Sequence, residues 1–353
     1  MQLTQLKADN FRRFTKLSLP IPGRLNLFVG ANAAGKTSLL EMIYCLNRSK
    51  SFRGSAYQDL MGPAKAQWTV FGRYEGERGP QTAGLQWAEQ GIQARREGKP
   101  ASALDLVQLA PTQILEPGMH RMIAEGPTYR RSFIDWGVFH VEPRFMPAWR
   151  RFRRALRQRN QLLRERRSNA EISAWEPELA ESGEELHGYR LEHLSRMRQQ
   201  VSERIARLLE EPDWSFELQS GWSAEHSLLE DLERHRERDR RLGMTQSGPH
   251  RAELRIRAGK LAVRHRISRG QQKLVLAAML ISQCELLLQD AGIAPILLVD
   301  DFSAELAEHF QASLLAQLKV YPGQVFLTAF EQSGVLKDSE LALFHVEQGR
   351  VRA

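Results

Sequence analysis

Residues 30–37 read Gly-Ala-Asn-Ala-Ala-Gly-Lys-Thr, so two glycines separated by four residues are followed directly by a lysine and a hydroxyl side chain. The apolar stretch at residues 25–29 predicts a buried strand before them, and apolar residues spaced three and four apart predict a helix from about Lys36. A glycine-rich turn between a strand and a helix N-terminus can wrap phosphate groups in backbone amides. The stretch therefore predicts a phosphate-binding loop in an α/β domain, with an ordinary glycine turn as the alternative.

The last two residues of this loop carry the groups that a nucleotide needs. The Lys36 ammonium would neutralise the β and γ phosphates, and the Thr37 hydroxyl would bind magnesium. A second polar site follows the apolar run at residues 296–299, which predicts another buried strand. In P-loop NTPases the first acid after such a strand, here Asp300, would hold magnesium, and the next, Asp301, could polarise the attacking water. A helix N-cap beside a solvated acid is the alternative.

A third segment, residues 268–273, reads Ser-Arg-Gly-Gln-Gln-Lys and precedes an apolar helical pattern. Small residues at a helix start suit an anion. A second anion site is of no use where the phosphates are already wrapped, unless it faces the nucleotide of another subunit. A simple N-capped helix remains the alternative.

Composition limits the function classes. The chain has 353 residues with 50 Lys and Arg against 42 Asp and Glu, a formal charge of +8, which makes a polyanion a plausible partner. Two cysteines, Cys45 and Cys284, indicate a reducing compartment and buried structural thiols. The apolar runs, such as residues 296–299, are expected to be too short for a membrane span, and no signal peptide is expected.

From residue 125 to residue 242 the sequence becomes charged and Arg-rich, which predicts a separate helical lobe. Between 144 and 167 there are ten arginines and a single acid, Glu165. The helical spacing predicts a DNA-binding ridge that includes Arg150, Arg153, Arg154 and Arg157. A solvated charged helix is the alternative, and it is the preferred interpretation for the mixed-charge residues 230–241.

The order of these motifs resembles that of ABC-type ATPases of the SMC and RecF group, and the chain is most similar to the RecF family. The segments that carry the resemblance spread over nearly the whole sequence, at residues 10–12, 30–41, 129–137, 139–143, 158–160, 248–251, 268–273 and 297–303. The resemblance implies an α/β fold: an ABC-type P-loop ATPase head with an inserted, mainly helical second lobe. The head would comprise residues 1–124 and 243–353, and the lobe residues 125–242.

The resemblance also implies roles for individual residues. ATP would be bound by Gly30, Ala31, Asn32, Ala33, Ala34, Gly35, Lys36, Thr37, Ser38 and Arg12. Lys36 and Asp301 would be catalytic, and the magnesium ligands would be Thr37, Asp300 and Gln113. Ser268, Gly270 and Gln271 would contact the nucleotide of the other subunit, and Thr328 takes the switch position near the γ phosphate.

The family resemblance implies a slow ATPase with Mg²⁺ that forms an ATP-dependent homodimer on single-stranded, gapped or duplex DNA. It would help to load RecA at gaps together with RecR and RecO in the cytoplasm, with no membrane partner. An SMC-type chromosome-organising clamp and an ABC transporter or translation subunit are the rival interpretations. The sequence departs from the family at Ala307, where an acid is usual, which puts communication between the two sites in doubt.

Overall fold

The computed structural model describes residues 1–64, 66–77, 79–209, 214–259, 261–263, 267–337 and 340–352. The strands are β1 Gln2–Phe11, β2 Phe14–Pro20, β3 Leu25–Val29, β4 Trp68–Glu75, β5 Gln81–Ala88, β6 Gly91–Arg96, β7 Lys99–Ala101, β8 Thr112–Leu115, β9 Trp214–Gln219, β10 Glu253–Ala258, β11 Leu261–Ala262, β12 Ile296–Val299, β13 Val325–Ala329, β14 Ala342–Glu347 and β15 Arg350–Arg352. The helices are α1 Lys36–Arg48, α2 Ala103–Leu109, α3 His120–Ala124, α4 Pro127–Val141, α5 Phe145–Arg164, α6 Asn169–Ser173, α7 Glu176–Leu209, α8 Leu228–Leu242, α9 Arg269–Ala291 and α10 Glu308–Val320.

The chain divides into two compact units. The first unit comprises Met1–Met119 together with Arg269–Ala353, and the second comprises His120–Ser268. The sequence placed the boundaries at 124/125 and 242/243. The structure divides the chain at 119/120 and 268/269 instead. The second boundary lies later because β10 pairs with β9 along its whole length, which makes residues 253–258 part of the inserted unit.

A mostly parallel sheet in the order β15-β14-β3-β13-β12-β8 forms the centre of the first unit. Every residue of β3, β12 and β13 is buried, as expected for parallel strands covered on both faces. The register pairs Val29 with Ala329, Leu327 with Val299, and Val299 with Leu115. The carboxyl ends of β3, β13, β12 and β8 therefore lie along one edge of the sheet, where Gly30 and Asp300 follow their strands.

A second sheet in the first unit is antiparallel and has the order β2-β1-β4-β5-β6-β7. Its inner face joins α1 in one apolar core, in which Phe11 packs edge-on against Trp68 at a centroid distance of 5.3 Å. Because β1 and β2 are joined at Phe11–Phe14, this sheet brings Arg12 and Arg13 to a turn.

The second unit is built from α3 to α8 and the three-stranded sheet β11-β10-β9. Its long helix α7 packs against α5 and α8. The sequence predicted a mainly helical lobe and did not predict this sheet. The mixed-charge residues 230–241 lie on α8, where Asp231 and Asp239 are buried, so the helix is only partly the solvated face that was expected.

Every apolar run was expected from the sequence to be too short for a membrane span, but helix α9 is long enough. In the described part of the chain it is long and apolar enough to cross a membrane by length and composition, yet 72% of its apolar window is buried inside the protein. A buried core helix meets the same criteria, so this feature is weak support for a membrane span. Cys284 lies on this helix and Cys45 on α1, and both thiols are buried, as predicted, with no disulfide between described residues.

Candidate nucleotide site

The predicted phosphate-binding loop follows β3 and leads directly into α1, and its two glycines are sterically required. A methyl group on Gly30 would lie 2.2 Å from the carbonyl oxygen of Val346, which no side chain tolerates. Gly35 has a φ of +122°, and a methyl group there would lie 2.9 Å from the Phe14 ring. Glycine at both positions lets the loop close between β14 and β2.

Lys36 folds back over the loop. Its Nζ donates to the carbonyl oxygens of Gly30 at 2.7 Å and Ala31 at 3.0 Å. Burial lowers the pKa of this ammonium, while the nearby carboxylates of Asp301 and Asp300 act in the opposite direction. The lysine is therefore a cation held against the loop's own carbonyl groups.

Thr37 at the start of α1, Asp300 directly after β12 and Thr328 in β13 form a chain of hydrogen bonds. Thr37 Oγ1 lies 3.0 Å from both carboxylate oxygens of Asp300, and Thr328 Oγ1 donates to Asp300 Oδ1 at 2.8 Å. Burial raises the pKa of Asp300, and so does the Asp301 charge, whereas the two hydroxyl bonds lower it. A hydroxyl and a carboxylate are hard oxygen donors that fit magnesium.

The remaining ligands of such an ion would come from outside this pair. Among the residues that the structure describes, no group of three or more His, Cys, Asp or Glu side chains could hold a metal. Magnesium usually keeps several waters and binds through one or two protein groups plus substrate phosphates, so a site with few protein ligands suits it.

Asp301 is held in a strained turn beside these groups. Its φ is +48°, and its backbone N donates to Thr328 Oγ1 at 2.8 Å. Thr328 therefore contacts both acids, and its place near the γ phosphate stays a prediction. Asp301 lies close enough to Lys36 to affect its pKa, so loop and acids form one electrostatic unit.

Two sequence-predicted residues are not brought to this site. Arg12 donates from Nε and Nη2 to the buried carboxylate of Glu41, with both distances 2.9 Å. Gln113 lies inside β8 opposite Leu297, three residues before Asp300, and its amide donates to Gln283. Each side chain is engaged by a partner that the sequence pattern did not reveal.

A cavity of about 910 Å³ adjoins the first half of the loop. Arg13, rather than Arg12, lines it. Its other lining residues come from the loop, from the segment after β13 and from the β14–β15 hairpin: Val29, Gly30, Ala31, Asn32, Ala33, Ala34, Phe330, Glu331, Gln332, His345, Val346, Glu347, Gln348, Arg350 and Arg352. Ser38, the last predicted loop residue, is buried within α1.

The start of α9 carries the predicted contact to a second nucleotide. Ser268 is exposed immediately before the helix, and Gln271 is half-buried. Gly270 is buried, and a methyl group there would lie 2.4 Å from the carbonyl oxygen of Glu305. The glycine thus permits close packing of the helix start on the turn that follows Asp301.

Lys273 belongs to this site, although the sequence indicated no role for it. Its Nζ donates to the carbonyl oxygens of Asp301, Phe302 and Ala304 at 2.7, 3.1 and 2.9 Å. Burial lowers the pKa of this lysine to about 8, which the neighbouring acids oppose. The one sequence signal for a role of Lys273 was its position one turn into a helix that begins with small residues.

The departure at Ala307 has a local structural effect. Ala307 occupies the N-cap position of α10 and has no side-chain bond to the helix. An acid at this position could accept a bond from the first turn. The helix that follows the Asp301 turn therefore begins uncapped.

The predicted DNA-binding arginines lie on α5 in the second unit. Arg150, Arg153, Arg154 and Arg157 are all exposed, and none has a carboxylate partner in the part of the chain that the structure describes. Other arginines in the same run are structural. Arg151 pairs with Glu178, Glu181 and Glu185, and Arg159 is fully buried.

Comparison with known proteins gives consistent results over the full length. A family model described as the RecF/RecN/SMC N terminal domain matches residues 2–352. The chain is 35% identical over 355 residues to the DNA replication and repair protein RecF of Escherichia coli O1:K1 / APEC, with 99% of both chains covered. The RecF protein of Escherichia coli strain K12 / DH10B matches to the same extent.

Solved structures show the same fold. Two structures of the recombination mediator protein RecF in the RecFOR pathway, described as RecF-ATP and RecF-ATPrS, have TM-scores of 0.88 and 0.87 at 24% identity, covering 99% of this chain and 97% of theirs. An Smc head bound to the C-winged helix domain of ScpA has a TM-score of 0.63 at 16% identity, with 100% and 96% covered. The predicted ABC-type α/β head is thereby confirmed.

Proposed function

The chain belongs to the RecF family of DNA replication and repair proteins, and on that premise we propose that it is a slow, DNA-linked ATPase that dimerises around ATP. The observation that carries the proposal is the chain of contacts from Lys36 and Thr37 through Asp300 to Thr328 and Asp301. It supports a site for a triphosphate, a cation and an attacking water at one sheet edge.

Each side chain has a distinct task in the proposed reaction. Lys36 holds the negative charge of the β and γ phosphates, and Thr37 and Asp300 are the residues that would hold magnesium. The ion, when bound, neutralises charge on the transferred phosphoryl oxygens. Asp301 polarises the water, and Thr328 fixes the Asp301 backbone.

The protein would act on DNA in recombinational repair and replication restart. Exposed, unpaired guanidinium groups on α5 support contact with backbone phosphates. By family membership the partners would be RecR, RecO and RecA at gapped DNA, and the location cytoplasmic. Ser268, Gly270 and Gln271 would contact the nucleotide of a second copy.

The proposal is tested by separating ATP binding from hydrolysis. We expect Lys36→Ala to lose ATP binding, because the phosphate charge is no longer compensated. Asp301→Asn should bind ATP like the parent, since Asn tolerates the left-handed conformation, but should hydrolyse it roughly 100- to 10,000-fold more slowly. Equilibrium binding of a labelled ATP analogue and phosphate release in single turnover are the measurements.

Asp9→Asn is the matched control, since it makes the same change at an exposed carboxylate of the same unit. It should leave binding and hydrolysis at the parent level. Full ATP affinity in Lys36→Ala, or parent-level turnover in Asp301→Asn, would refute the assigned roles.

A further inference from the structure

A tight turn in the second unit presents one arginine, Arg251, to solvent. Within the turn, Arg251 N donates to the Gly248 carbonyl at 2.8 Å, and Ala252 N donates to the Pro249 carbonyl at 3.3 Å. Gly221 packs closely against this turn, since a methyl group on Gly221 would lie 2.4 Å from the carbonyl oxygen of Gly248. The backbone that carries Arg251 is therefore fixed before any ligand arrives.

Two other arginines hold the carbonyl groups on either side of Arg251. Arg190 Nη1 donates to the Pro249 oxygen at 2.7 Å, and Arg131 Nη1 donates to the Ala252 oxygen at 2.8 Å. Arg190 is buried, whereas Arg131 is only half-buried. The turn thus gathers three guanidinium groups in one place.

The charges in this cluster do not balance. Arg190 forms a two-bond ion pair with Asp135 at 2.7 and 3.0 Å, and Arg130 forms one with Glu253 at 2.6 and 2.9 Å. Both carboxylates are thereby taken. Arg131 bonds to Thr128 and the Ala252 carbonyl, and Arg251 to neutral atoms of Gln246 and Met244.

Within the described part of the chain, Arg131 and Arg251 therefore have no carboxylate partner. Burial lowers the pKa of Arg131, and the positive charges of Arg190 and Arg251 lower it further, although Glu253 and Asp135 oppose this. The two unpaired guanidinium groups are close enough to repel one another.

His250 is adapted to these surroundings by remaining neutral. Burial lowers its pKa to about 4, and the charges of Arg251, Arg131 and Arg190 add to that effect. Its Nε2 lies 3.0 Å from the Thr245 carbonyl, so Nε2 carries the proton, and its buried Nδ1 has no partner among the described atoms. The positive charge of the turn is thus concentrated on Arg131 and Arg251.

We propose that Arg251 and Arg131 form a phosphate-binding site that contacts the DNA backbone, separate from the α5 arginines. Guanidinium groups bind phosphate oxygens through paired N–H donors, and a bound phosphate would relieve the repulsion between these two cations. A rigid turn adds little ordering cost on binding. This inference rests on the proposed function, because it identifies a further contact for the same polyanion.

The test measures how DNA affinity depends on salt for Arg251→Ala. Loss of one phosphate contact should reduce the slope of log K against log salt by about 0.9 on duplex and about 0.7 on single strands. On duplex, the ratio of the variant Kd to the parent Kd should therefore fall about 3.5-fold between 50 and 200 mM salt. Arg251→Lys keeps the charge and should keep the parent slope.

Arg238→Ala is the matched control, because Arg238 is an exposed arginine on α8 of the same unit, outside the turn. It should leave the slope unchanged. Equal slopes for Arg251→Ala and the parent, where the parent binds DNA, would overturn the inference while leaving the proposed function intact. A parent without ATP-dependent DNA binding would overturn the proposed function itself.

Free inorganic phosphate is the alternative ligand that Arg251 and Arg131 could bind through the same guanidinium donors. Titration with inorganic phosphate at constant ionic strength distinguishes the two sources. We expect phosphate to compete only weakly with DNA and equally for parent and Arg251→Ala. Arg251-dependent phosphate binding together with an unchanged DNA slope would assign the site to a small anion and contradict the inference.

Discussion

At the scale of single residues, Arg159 shows how a charge in an Arg-rich helix can be structural. Its guanidinium is fully buried and donates to Glu176 at 3.0 Å, to Asp239 at 2.7 Å and to Thr245 at 2.8 Å. Glu176 also pairs with Arg236, and these contacts lower the pKa of Glu176 against the effect of burial. One side chain thus joins α5, α7 and α8.

We expect Arg159→Met to destabilise the protein by about 3–5 kcal/mol, because removing one partner leaves buried carboxylates uncompensated. Arg157→Met, an exposed neighbour on the same helix, should change stability by less than about 0.5 kcal/mol. Urea unfolding followed by circular dichroism measures both. Similar midpoints for the two variants would show that the buried network does not hold these helices together.

The residues of the nucleotide site differ in how well the sequence predicts their positions, because some are placed by neighbouring residues and others by distant ones. Lys36 and Thr37 were predictable, because their placement follows from a loop and a helix that are contiguous in sequence. Arg12 and Gln113 were not, because their partners, Glu41 and Gln283, are chosen by tertiary packing. No spacing rule in one sequence identifies a partner 170 residues away.

At the scale of elements, α5 combines a buried face with an exposed basic one. Phe145, Ala148, Phe152, Ala155, Arg159 and Leu163 are buried at helical spacing. The opposite side presents Arg150, Arg153 and Arg157, and the Arg153 guanidinium lies 4.7 Å from the Trp149 ring centre. Packing of the buried face fixes where these cations point.

We expect reversal of Arg150, Arg153 and Arg157 to Glu to flatten the dependence of DNA affinity on salt by more than the about 0.9 that one duplex contact accounts for. The matched control reverses Arg234, Arg238 and Arg241, which are exposed on α8. Fluorescence anisotropy at several salt concentrations measures the slopes. If both triple variants behave alike, net charge rather than the α5 surface determines binding.

The sequence predicted elements better than their pairing. Strand β3 and helix α1 follow from local patterns, whereas residues 243–268, which were predicted to belong to the head, cluster with the second compact unit. Glu253–Ala258 pairs with Trp214–Gln219, and this register is fixed by contacts between distant segments. A strand pattern by itself does not identify the strand beside it.

At the level of the whole molecule, the proposed mechanism requires two copies of the chain for a working nucleotide site. Ser268 is exposed immediately before α9, at the end of the second unit's sequence, whereas the loop at Gly30–Thr37 belongs to the first unit. If Ser268 contacts the nucleotide of a second copy, ATP binding by the Gly30–Thr37 loop of the same chain should not depend on Ser268. ATP binding and hydrolysis should then respond differently to a bulky residue at this position.

We expect Ser268→Arg to bind ATP like the parent but to stay monomeric with ATP and magnesium, and to lose hydrolysis and ATP-dependent DNA retention together. Light scattering after gel filtration and phosphate release are the measurements. Mixed with Lys36→Ala, it forms one composite site with an intact loop and an intact Ser268, so partial hydrolysis should return if one site can act alone. Hydrolysis by monomeric Ser268→Arg would rule out a shared site.

The order of the central sheet has a consequence for synthesis on the ribosome. Strand β3 pairs with β13 and β14, which leave the ribosome about 300 residues later, so at roughly 5–20 residues per second the apolar strand waits about 15–60 s for its neighbours. An unpaired strand edge invites association with other chains. The nascent polypeptide should therefore need chaperone protection until translation is nearly finished, even though the antiparallel sheet beside it can form early.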